Sequence, residues 1–326
     1  MFNAITDVEG IKVGHAGDFE GFTGCTVILC EDGATGGIDI RGSAAGTRQT
    51  DSLRSQHLVE EIHAVLLSGG SAFGLNAAGG VVRCLEEKGI GFLTSAARVP
   101  IVPTAIIYDL SFGDPEIRPN EEMGYRACTN ATGSQVEMGS VGVGTGATIG
   151  KHYGMERAMK GGFGTASKTL PNGLIVAAAV VVNAFGDVVD NENGKIIAGA
   201  RDSVDGYRLV NSFEHIKKGG GGEEEFFQNT TLGVVATNAL LTKRQAIKIA
   251  QMAHTGFAKT ISPIHLTSDG DLVIALSTRR VKAEINVVGL LAEEAIIEAV
   301  KRGIMAADGF GVLPAYRDIG TVHSDG

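Results

Sequence analysis

A threonine that follows an acidic, glycine-rich segment and begins an apolar strand is the residue best placed to do chemistry in this chain. The stretch GGGGEEEFFQNTTLGVVATN starts at Gly219, and Thr230 follows Asn229 where the character of the sequence changes. A threonine hydroxyl is a weak nucleophile unless a base lies beside it, and one such base is the threonine's own α-amino group. An α-amine has a reference pKa of about 7.7–8.0, so part of it is free base near neutral pH. Thr230 gains that amine only if the bond before it is cut.

Thr230 could make this cut itself. Its hydroxyl would attack the carbonyl of Asn229, the amide would shift to an ester, and water would release the upstream chain. A long polar tether would let the new chain end move away and uncover a pocket. We therefore predict self-cleavage of a single domain into residues 1–229 and 230–326. The alternative is that Thr230 merely begins a strand, where β-branched residues are common.

Motifs for other chemistries are incomplete in this sequence. The stretch TGATIGKH begins with Thr145 where a Walker A loop has glycine, and it ends with His152 where that loop has serine or threonine. GVGTGA matches a dinucleotide fingerprint loosely, but no helix-forming run follows it and no acidic residue lies about 20 positions on. Neither G-x-S-x-G nor S-x-x-K occurs, and Cys and His show no metal-binding spacing. We therefore expect neither cofactor nor metal.

Composition limits the class of protein and its partners. The chain has 326 residues, of which 44% are apolar and 20% charged, as in soluble globular proteins. Its net charge of −9 argues against a nucleic-acid partner, which would require a basic surface. The longest apolar run, LIVAAAVVV, is too short for a membrane span, and no signal-peptide pattern is recognised. Four cysteines are too few for a disulfide framework. These features predict a cytoplasmic protein with no membrane partner.

Strand-like and helix-like segments alternate along the sequence. Strands are predicted from β-branched content and glycine boundaries at CTVILCE, HAVLLSGG, TAIIYDLSF, GSVGVGTG, GLIVAAAVVVNAFGDVVD, TTLGVVATN and DLVIALST. Helices are predicted over Ala72–Lys88, Asn120–Ala131, Lys243–Thr260 and Ile285–Ala307, the third with a Thr242–Gln245 capping box. Because several strands are apolar on both faces, a layered α/β sandwich of mixed sheets covered by helices is expected. The segment 191–229 is the one predicted linker.

Several blocks in one order resemble the self-processing L-aminopeptidase/D-esterase-amidase family, and most closely the nylon-oligomer (6-aminohexanoate oligomer) endohydrolases. They are LLSGGSAFGLNAAGGV, AIIYDLSFGD, GVGTGATIGK, VVVNAFGDVVD, SDGDLVIALST and the long run from NTTLGVVATN to TISPIH. The resemblance implies a four-layer αββα sandwich and cleavage into a large and a small subunit. It also implies amide hydrolysis by the newly exposed Ser or Thr, and a homo-oligomer, often a tetramer.

The resemblance also implies roles for individual residues. Thr230 matches the nucleophile, and the Asn-Thr junction resembles that of the nylon-oligomer hydrolases. Asn183 matches an asparagine whose side-chain N–H holds the developing oxyanion. Lys151 matches a lysine near the reaction centre, and Tyr108 matches a tyrosine that forms hydrogen bonds there. Without the resemblance, these three residues have ordinary alternatives: a turn asparagine, a solvated loop lysine and a half-buried strand tyrosine.

A pair of aspartates completes the predicted site. Asp269 and Asp271 form D-G-D and match the acidic or hydroxyl pair near the family's nucleophile. If this segment is extended, positions i and i+2 face the same way, so both carboxylates could orient the ammonium of Thr230. The alternative is an Asp-Gly turn before a strand. Aminopeptidase members tend to have Ser-Gly-acid at these positions, so D-G-D departs from their pattern.

The expected activity is therefore amide hydrolysis through an acyl-enzyme on Thr230. The substrate class is left open between short peptides with a free N-terminus and linear polyamide oligomers. Two other functions compete with this one. The first is acyl transfer of the ornithine acetyltransferase type, and the second is ligand binding by an uncut, non-enzymatic protein.

Overall fold

The structure is a computed structural model that describes residues 1–219 and 229–320. The strands are β1 (Lys12–Asp18), β2 (Thr23–Ile40), β3 (Thr47–Arg48), β4 (Glu61–Ser68), β5 (Phe92–Leu93), β6 (Arg98–Val99), β7 (Thr104–Ile106), β8 (Thr148–Ile149), β9 (Met159–Lys160), β10 (Gly162–Thr169), β11 (Ile175–Asn183), β12 (Asp187–Val189), β13 (Ile196–Ala198), β14 (Thr230–Ala239), β15 (Ile261–Ser262) and β16 (Leu272–Val281). The α-helices are α1 (Ala77–Glu87), α2 (Glu121–Thr129), α3 (Ser212–Lys217), α4 (Lys243–Thr260), α5 (Ile285–Met305) and α6 (Tyr316–Gly320). Among these helices, none combines the length and the apolar character needed to cross a bilayer.

The main sheet is mixed and has nine strands. It bends back on itself, and its longest strand, β2, belongs to both halves. The strand order is β10-β11-β14-β16-β2-β4-β7-β3, and β1 also pairs with β2. Strand β2 has 18 residues; its C-terminal part, 35–40, pairs with β16, and its N-terminal part, 23–29, pairs with β1. One half of the sheet is therefore β10-β11-β14-β16 and the other is β1-β2-β4-β7-β3, joined by β2.

Three buried apolar clusters show that the two halves lie face to face between layers of helices. The first cluster joins alternate residues of both halves, including Ile28 and Val65 from one and Val234 and Ile274 from the other. A second cluster packs the intervening residues of β11, β14 and β16 against α4 and α5. A third packs β2 and β4 against α1 and α2. The alternation arises because successive strand residues face opposite sides. The predicted αββα architecture is confirmed.

The four predicted helices are all present. Helix α4 spans Lys243–Thr260 as predicted, and the side chains of Thr242 and Gln245 each accept a hydrogen bond from the other's backbone N–H. Helix α2 begins after Asn120, whose side chain caps it. Helix α1 is shorter than predicted because a 3₁₀ turn over Ser71–Asn76 replaces its first residues.

Three predictions from the sequence are wrong in detail. GSVGVGTG is not a strand: a 3₁₀ turn covers Gly142–Thr145, and Gly139 and Gly142 have positive φ angles that interrupt extended backbone. The run predicted as one strand over 173–190 divides into β11 and β12. The predicted linker contains β13 and α3, and its last part, 220–228, lies outside the described residues.

Helices α1 and α2 pack at backbone contact. A Cβ added to Gly80 would lie 1.7 Å from the carbonyl oxygen of Glu121, and one added to Gly124 would lie 1.9 Å from that of Ala77. A disulfide between Cys84 and Cys128 joins the same helices, a link that the cysteine count did not predict. Glycine at both contact positions is therefore a packing requirement.

This contact gives a test with a matched control on the same helix. We expect Gly80→Ala to lower the free energy of unfolding by about 1–3 kcal/mol, because backbone must move to admit the methyl group. The adjacent Gly79 faces only the flexible side chain of Glu121. Gly79→Ala should therefore leave stability unchanged or raise it by about 1 kcal/mol through helix propensity. Denaturant unfolding of both variants is the measurement, and equal stabilities would contradict the packing argument.

Candidate active site

Strand pairing brings the predicted residues to one edge of the sheet. Strand β14 runs parallel to β16 and antiparallel to β11. The start of β14 therefore lies beside the start of β16 and the end of β11. Thr230 is directly opposite Asn183, and Asn229 forms a bridge with Asp269. Residues far apart in the sequence meet here because of pairing direction alone.

Thr230 has its hydroxyl on the carbonyl of the residue before it. The Thr230 Oγ1 donates a hydrogen bond to the Asn229 carbonyl oxygen at 2.6 Å. The backbone N–H of Gly270 donates to that same oxygen, with an N–O distance of 2.7 Å. Thr230 is only 3% exposed, so bulk water does not compete for these contacts. The hydroxyl therefore lies next to the Asn229 carbonyl that it could attack. The Gly270 N–H lies on the oxygen where negative charge would then develop, and it could stabilise that charge.

The position between the two aspartates has to be glycine. A Cβ on Gly270 would lie 2.7 Å from Thr230 Oγ1 and 3.0 Å from the carbonyl oxygen of Ala44. A side chain there would displace the hydroxyl. The glycine of D-G-D therefore has two functions: it leaves room for the Thr230 side chain, and it brings a backbone N–H to the Asn229 carbonyl.

Lys151 is a buried cation that holds both neighbouring asparagines. Its Nζ donates to the backbone oxygen and to Oδ1 of Asn183, and to Oδ1 of Asn229, each at 3.0 Å. Burial lowers the pKa of Lys151 to about 7, against the opposing influence of nearby aspartates, Asp269 first. The lysine is therefore poised between its charged and neutral forms near neutral pH.

Asn183 and Tyr108 are part of the same network, although by contacts other than those predicted. Asn183 Oδ1 accepts a hydrogen bond from the backbone N–H of Thr148 at 2.9 Å, in addition to Lys151. Its Nδ2 donates to the backbone carbonyl of Tyr108 at 3.0 Å. The Asn183 amide thus faces Tyr108, whereas Gly270 is the donor on the Asn229 carbonyl. The oxyanion function of Asn183 and the side-chain function of Tyr108 stay predictions.

The two aspartates have different partners. Asp271 accepts the backbone N–H of Thr231 on Oδ1 at 2.6 Å, and its Oδ2 accepts from His265. Asp269 accepts the N–H of Leu266 on Oδ2 at 2.8 Å, while its buried Oδ1 has no hydrogen-bond partner in the described part of the chain. Burial and then the charge of Asp271 raise the pKa of Asp269 to about 7. Neither carboxylate contacts the Thr230 hydroxyl, so their action on its ammonium stays a prediction.

A narrow pocket opens beside Lys151. It is lined by Tyr108, Asp109, Ser111, Phe112, Thr148, Lys151 and Met155. Its walls are partly apolar, and its floor carries the lysine and a buried carboxylate. Asp109 accepts hydrogen bonds from the Thr23 hydroxyl and the Gly70 N–H, both at 2.7 Å, and burial raises its pKa.

Sequence reasoning missed several residues that shape this site. Lys160 is fully buried, and its Nζ donates to the backbone oxygens of Gly144, Ala147 and Gly161. Burial lowers its pKa to about 7. It fixes the glycine-rich turn that precedes Lys151. The signal available was its place between apolar residues in GMERAMKGGF, where a lysine is unexpected. Across the two described segments, no group of three or more His, Cys, Asp or Glu side chains could hold a metal ion.

Comparisons with known proteins agree with this geometry. The model of peptidase family S58 matches residues 3–312. The chain belongs to peptidase family S58. An uncharacterized aminopeptidase of Mycobacterium leprae (strain TN) is 40% identical, over 96% of this chain and 93% of the relative. A 6-aminohexanoate-oligomer endohydrolase of Kocuria sp. (strain KY2) is 30% identical, over 83% of this chain and 74% of the relative. As an S58 member, the chain is a hydrolase of amide or peptide bonds.

A solved structure shares the fold. The L-aminopeptidase D-Ala-esterase/amidase from Ochrobactrum anthropi, described as a new variant of the Ntn hydrolase fold, superposes with a TM-score of 0.73. The match covers 99% of this chain and 93% of that chain at 21% identity. The family, fold and enzyme class predicted from the sequence are all confirmed.

The electrostatics of the S58 site can be tested directly. We expect the Lys151 13Cε signal, assigned by its loss in Lys151→Arg, to titrate near pH 7 rather than near 10.5. Asp269→Asn should move that titration to lower pH, because it removes a negative charge that favours the ammonium. The titration of Lys160 should move less, and only through Lys151, since Asp269 is not among its charged neighbours. Titration of Lys151 above pH 10 would contradict the proposed environment.

Proposed function

We propose that this S58 peptidase matures by cutting its own Asn229–Thr230 bond and then hydrolyses amide bonds with the exposed Thr230. The observation that supports this most strongly is the Thr230 hydroxyl 2.6 Å from the Asn229 carbonyl oxygen, which also accepts the Gly270 N–H. The arrangement contains a nucleophile, an electrophile and a donor for the developing charge, all in a buried setting.

Self-cleavage begins with attack by Thr230 Oγ1 on the Asn229 carbonyl carbon. Negative charge develops on the carbonyl oxygen, where the Gly270 N–H stabilises it. The C–N bond then breaks, the proton that the hydroxyl gave up passes to the Thr230 nitrogen, and an ester joins Asn229 to Thr230 Oγ1. Water hydrolyses that ester, which leaves a carboxylate on Asn229 and frees both the hydroxyl and the amine of Thr230. The Lys151 ammonium, already bound to the Asn229 side chain, offsets the new negative charge.

The mature enzyme uses the same atoms on a substrate. The Thr230 amine accepts the hydroxyl proton, the oxygen attacks the substrate carbonyl, and the Gly270 N–H again faces the oxyanion. The proton passes to the departing amine, and water then hydrolyses the acyl-threonine ester. Asp269 has a buried oxygen without a partner in the described structure, and its carboxylate is available to orient the new ammonium.

The names of two relatives support a substrate class. One relative is named an aminopeptidase and another an oligomer endohydrolase, so the substrate is a short peptide or a linear polyamide. The pocket beside Lys151 has a volume of about 10 Å³, room for about one water molecule, and Lys151 and Asp109 line it beside Phe112 and Met155, so it does not choose between these substrates. Transfer of the acyl group to an amine is the competing outcome, and product analysis with an added amine acceptor distinguishes it from hydrolysis.

The proposal extends to the assembly and the location of the protein. We expect a homo-oligomer, most simply a tetramer, and sedimentation analysis tests it. The proposed cytoplasmic location has to accommodate the Cys84–Cys128 disulfide, because disulfides rarely persist in a reducing compartment. Fractionation of the native host, with thiol labelling of those two cysteines, tests both together.

Variants of Thr230 test the nucleophile. We expect Thr230→Ala to give a folded, uncut chain with no measurable amidase activity, because one oxygen serves both reactions. Thr230→Ser keeps that oxygen and loses only the methyl group that restricts χ1. It should still cut itself and retain part of the turnover. Gel analysis and amide-hydrolysis assays are the measurements. Cleavage or hydrolysis by Thr230→Ala would mean that another residue is the nucleophile.

A further inference from the structure

The loop between β15 and β16 holds both aspartates through consecutive backbone groups. The N–H of His265 donates to Asp271 Oδ2 at 3.1 Å, and the next N–H, that of Leu266, donates to Asp269 Oδ2 at 2.8 Å. Consecutive backbone N–H groups can serve together as donors to neighbouring anions. Here the anions are the two carboxylates of D-G-D.

His265 has a backbone conformation that is uncommon for residues other than glycine. Its φ is +60°, in the left-handed region where glycine is favoured and other residues are uncommon. A residue in that region turns its own N–H and the following one toward the same side. Glycine would adopt this conformation with least strain, so any contribution of histidine over glycine at this position comes from its side chain.

The imidazole supplies that reason. His265 Nδ1 lies 2.9 Å from Asp271 Oδ2, and because a carboxylate only accepts, Nδ1 carries the proton. The same carboxylate accepts the Thr231 N–H on its other oxygen at 2.6 Å. A continuous set of contacts therefore runs from the His265 ring through Asp271 to the residue that follows Thr230. The ring packs edge-on against His254, with centroids 5.0 Å apart.

We propose that His265 is a positioning residue of this enzyme: its left-handed backbone and its Nδ1–H together fix Asp271, which fixes the start of β14 and so the Thr230 hydroxyl. The proposal rests on the proposed function, in which Thr230 is the nucleophile. It assigns His265 no contact with substrate. Its effect should appear in kcat and in self-cleavage rate rather than in KM.

Substitutions at this position separate the backbone contribution from the ring. His265→Gly keeps the left-handed conformation and removes the imidazole. His265→Asn tolerates the same conformation and can place an amide N–H where Nδ1 was. We expect His265→Gly to lower kcat about 10–100-fold, with KM little changed. This range is the one typical of metal sites when a residue that orients a metal ligand is removed. His265→Asn should recover most of that loss.

A second mutation distinguishes positioning from general destabilisation. In an Asp271→Asn background, His265→Gly should add little, since the two residues act as a unit. Full additivity would overturn the inference. If His265→Gly does not fold, His265→Ala against His265→Asn gives an equivalent comparison, since both variants are uncharged and only Asn carries a side-chain donor.

Thr230→Ala is assayed beside these variants. Wild-type kcat in His265→Gly, with Thr230→Ala inactive, would refute the positioning function and leave the proposed nucleophile intact. Activity in Thr230→Ala would refute the proposed function itself. The two failures are therefore distinguishable in one set of measurements.

Discussion

The direction of strand pairing around β14 is the constraint on which the site depends. Because β14 is parallel to β16 and antiparallel to β11, the beginnings of β14 and β16 and the end of β11 meet at one edge. Thr230, the D-G-D segment and Asn183 come from positions up to 88 residues apart, and no local motif could bring them together. The fully buried run of β14 fixes this register, since a slip of one residue would reverse which side chains face each core cluster.

Burial gives the site its chemical character. Thr230, Asn183, Lys151, Asp269 and Asp271 are each at most 3% exposed, so their charges and dipoles act with little screening by water. The same burial brings the pKa values of Lys151 and Asp269 from opposite directions to about 7. Such perturbation is typical of groups arranged for catalysis, although structural ion networks also produce it. Folding free energy from the apolar layers has to offset the cost of these buried charges.

The parts of the structure that are predictable from the sequence are those that depend on the pattern of side-chain types. Helix α4 has the predicted bounds because Thr242 and Gln245 form a capping box and apolar residues recur at helical spacing. Thr230 stood out because an acidic tether meets a buried strand there. In contrast, Gly270 acts through a backbone N–H, and His265 acts through a backbone N–H together with a ring that reaches Asp271 only in the folded chain. Their importance depends on φ angles and on pairing, so only the folded chain reveals it. The strand predicted at GSVGVGTG is absent for the same reason: glycine adopts backbone conformations that the types of the neighbouring residues do not reveal.

The Asn183 amide shows the same limit in one side chain. A resemblance could indicate that an asparagine belongs at this position, but its Oδ1 and Nδ2 are directed by Lys151, Thr148 and Tyr108, which come from other parts of the chain.

The most direct test of the central claim is the intact mass of the purified protein under denaturing conditions, with N-terminal sequencing of the smaller species. Self-cleavage predicts two fragments, residues 1–229 and 230–326, and a second sequence that begins Thr-Thr-Leu-Gly. A single uncut chain with full amidase activity would contradict the account.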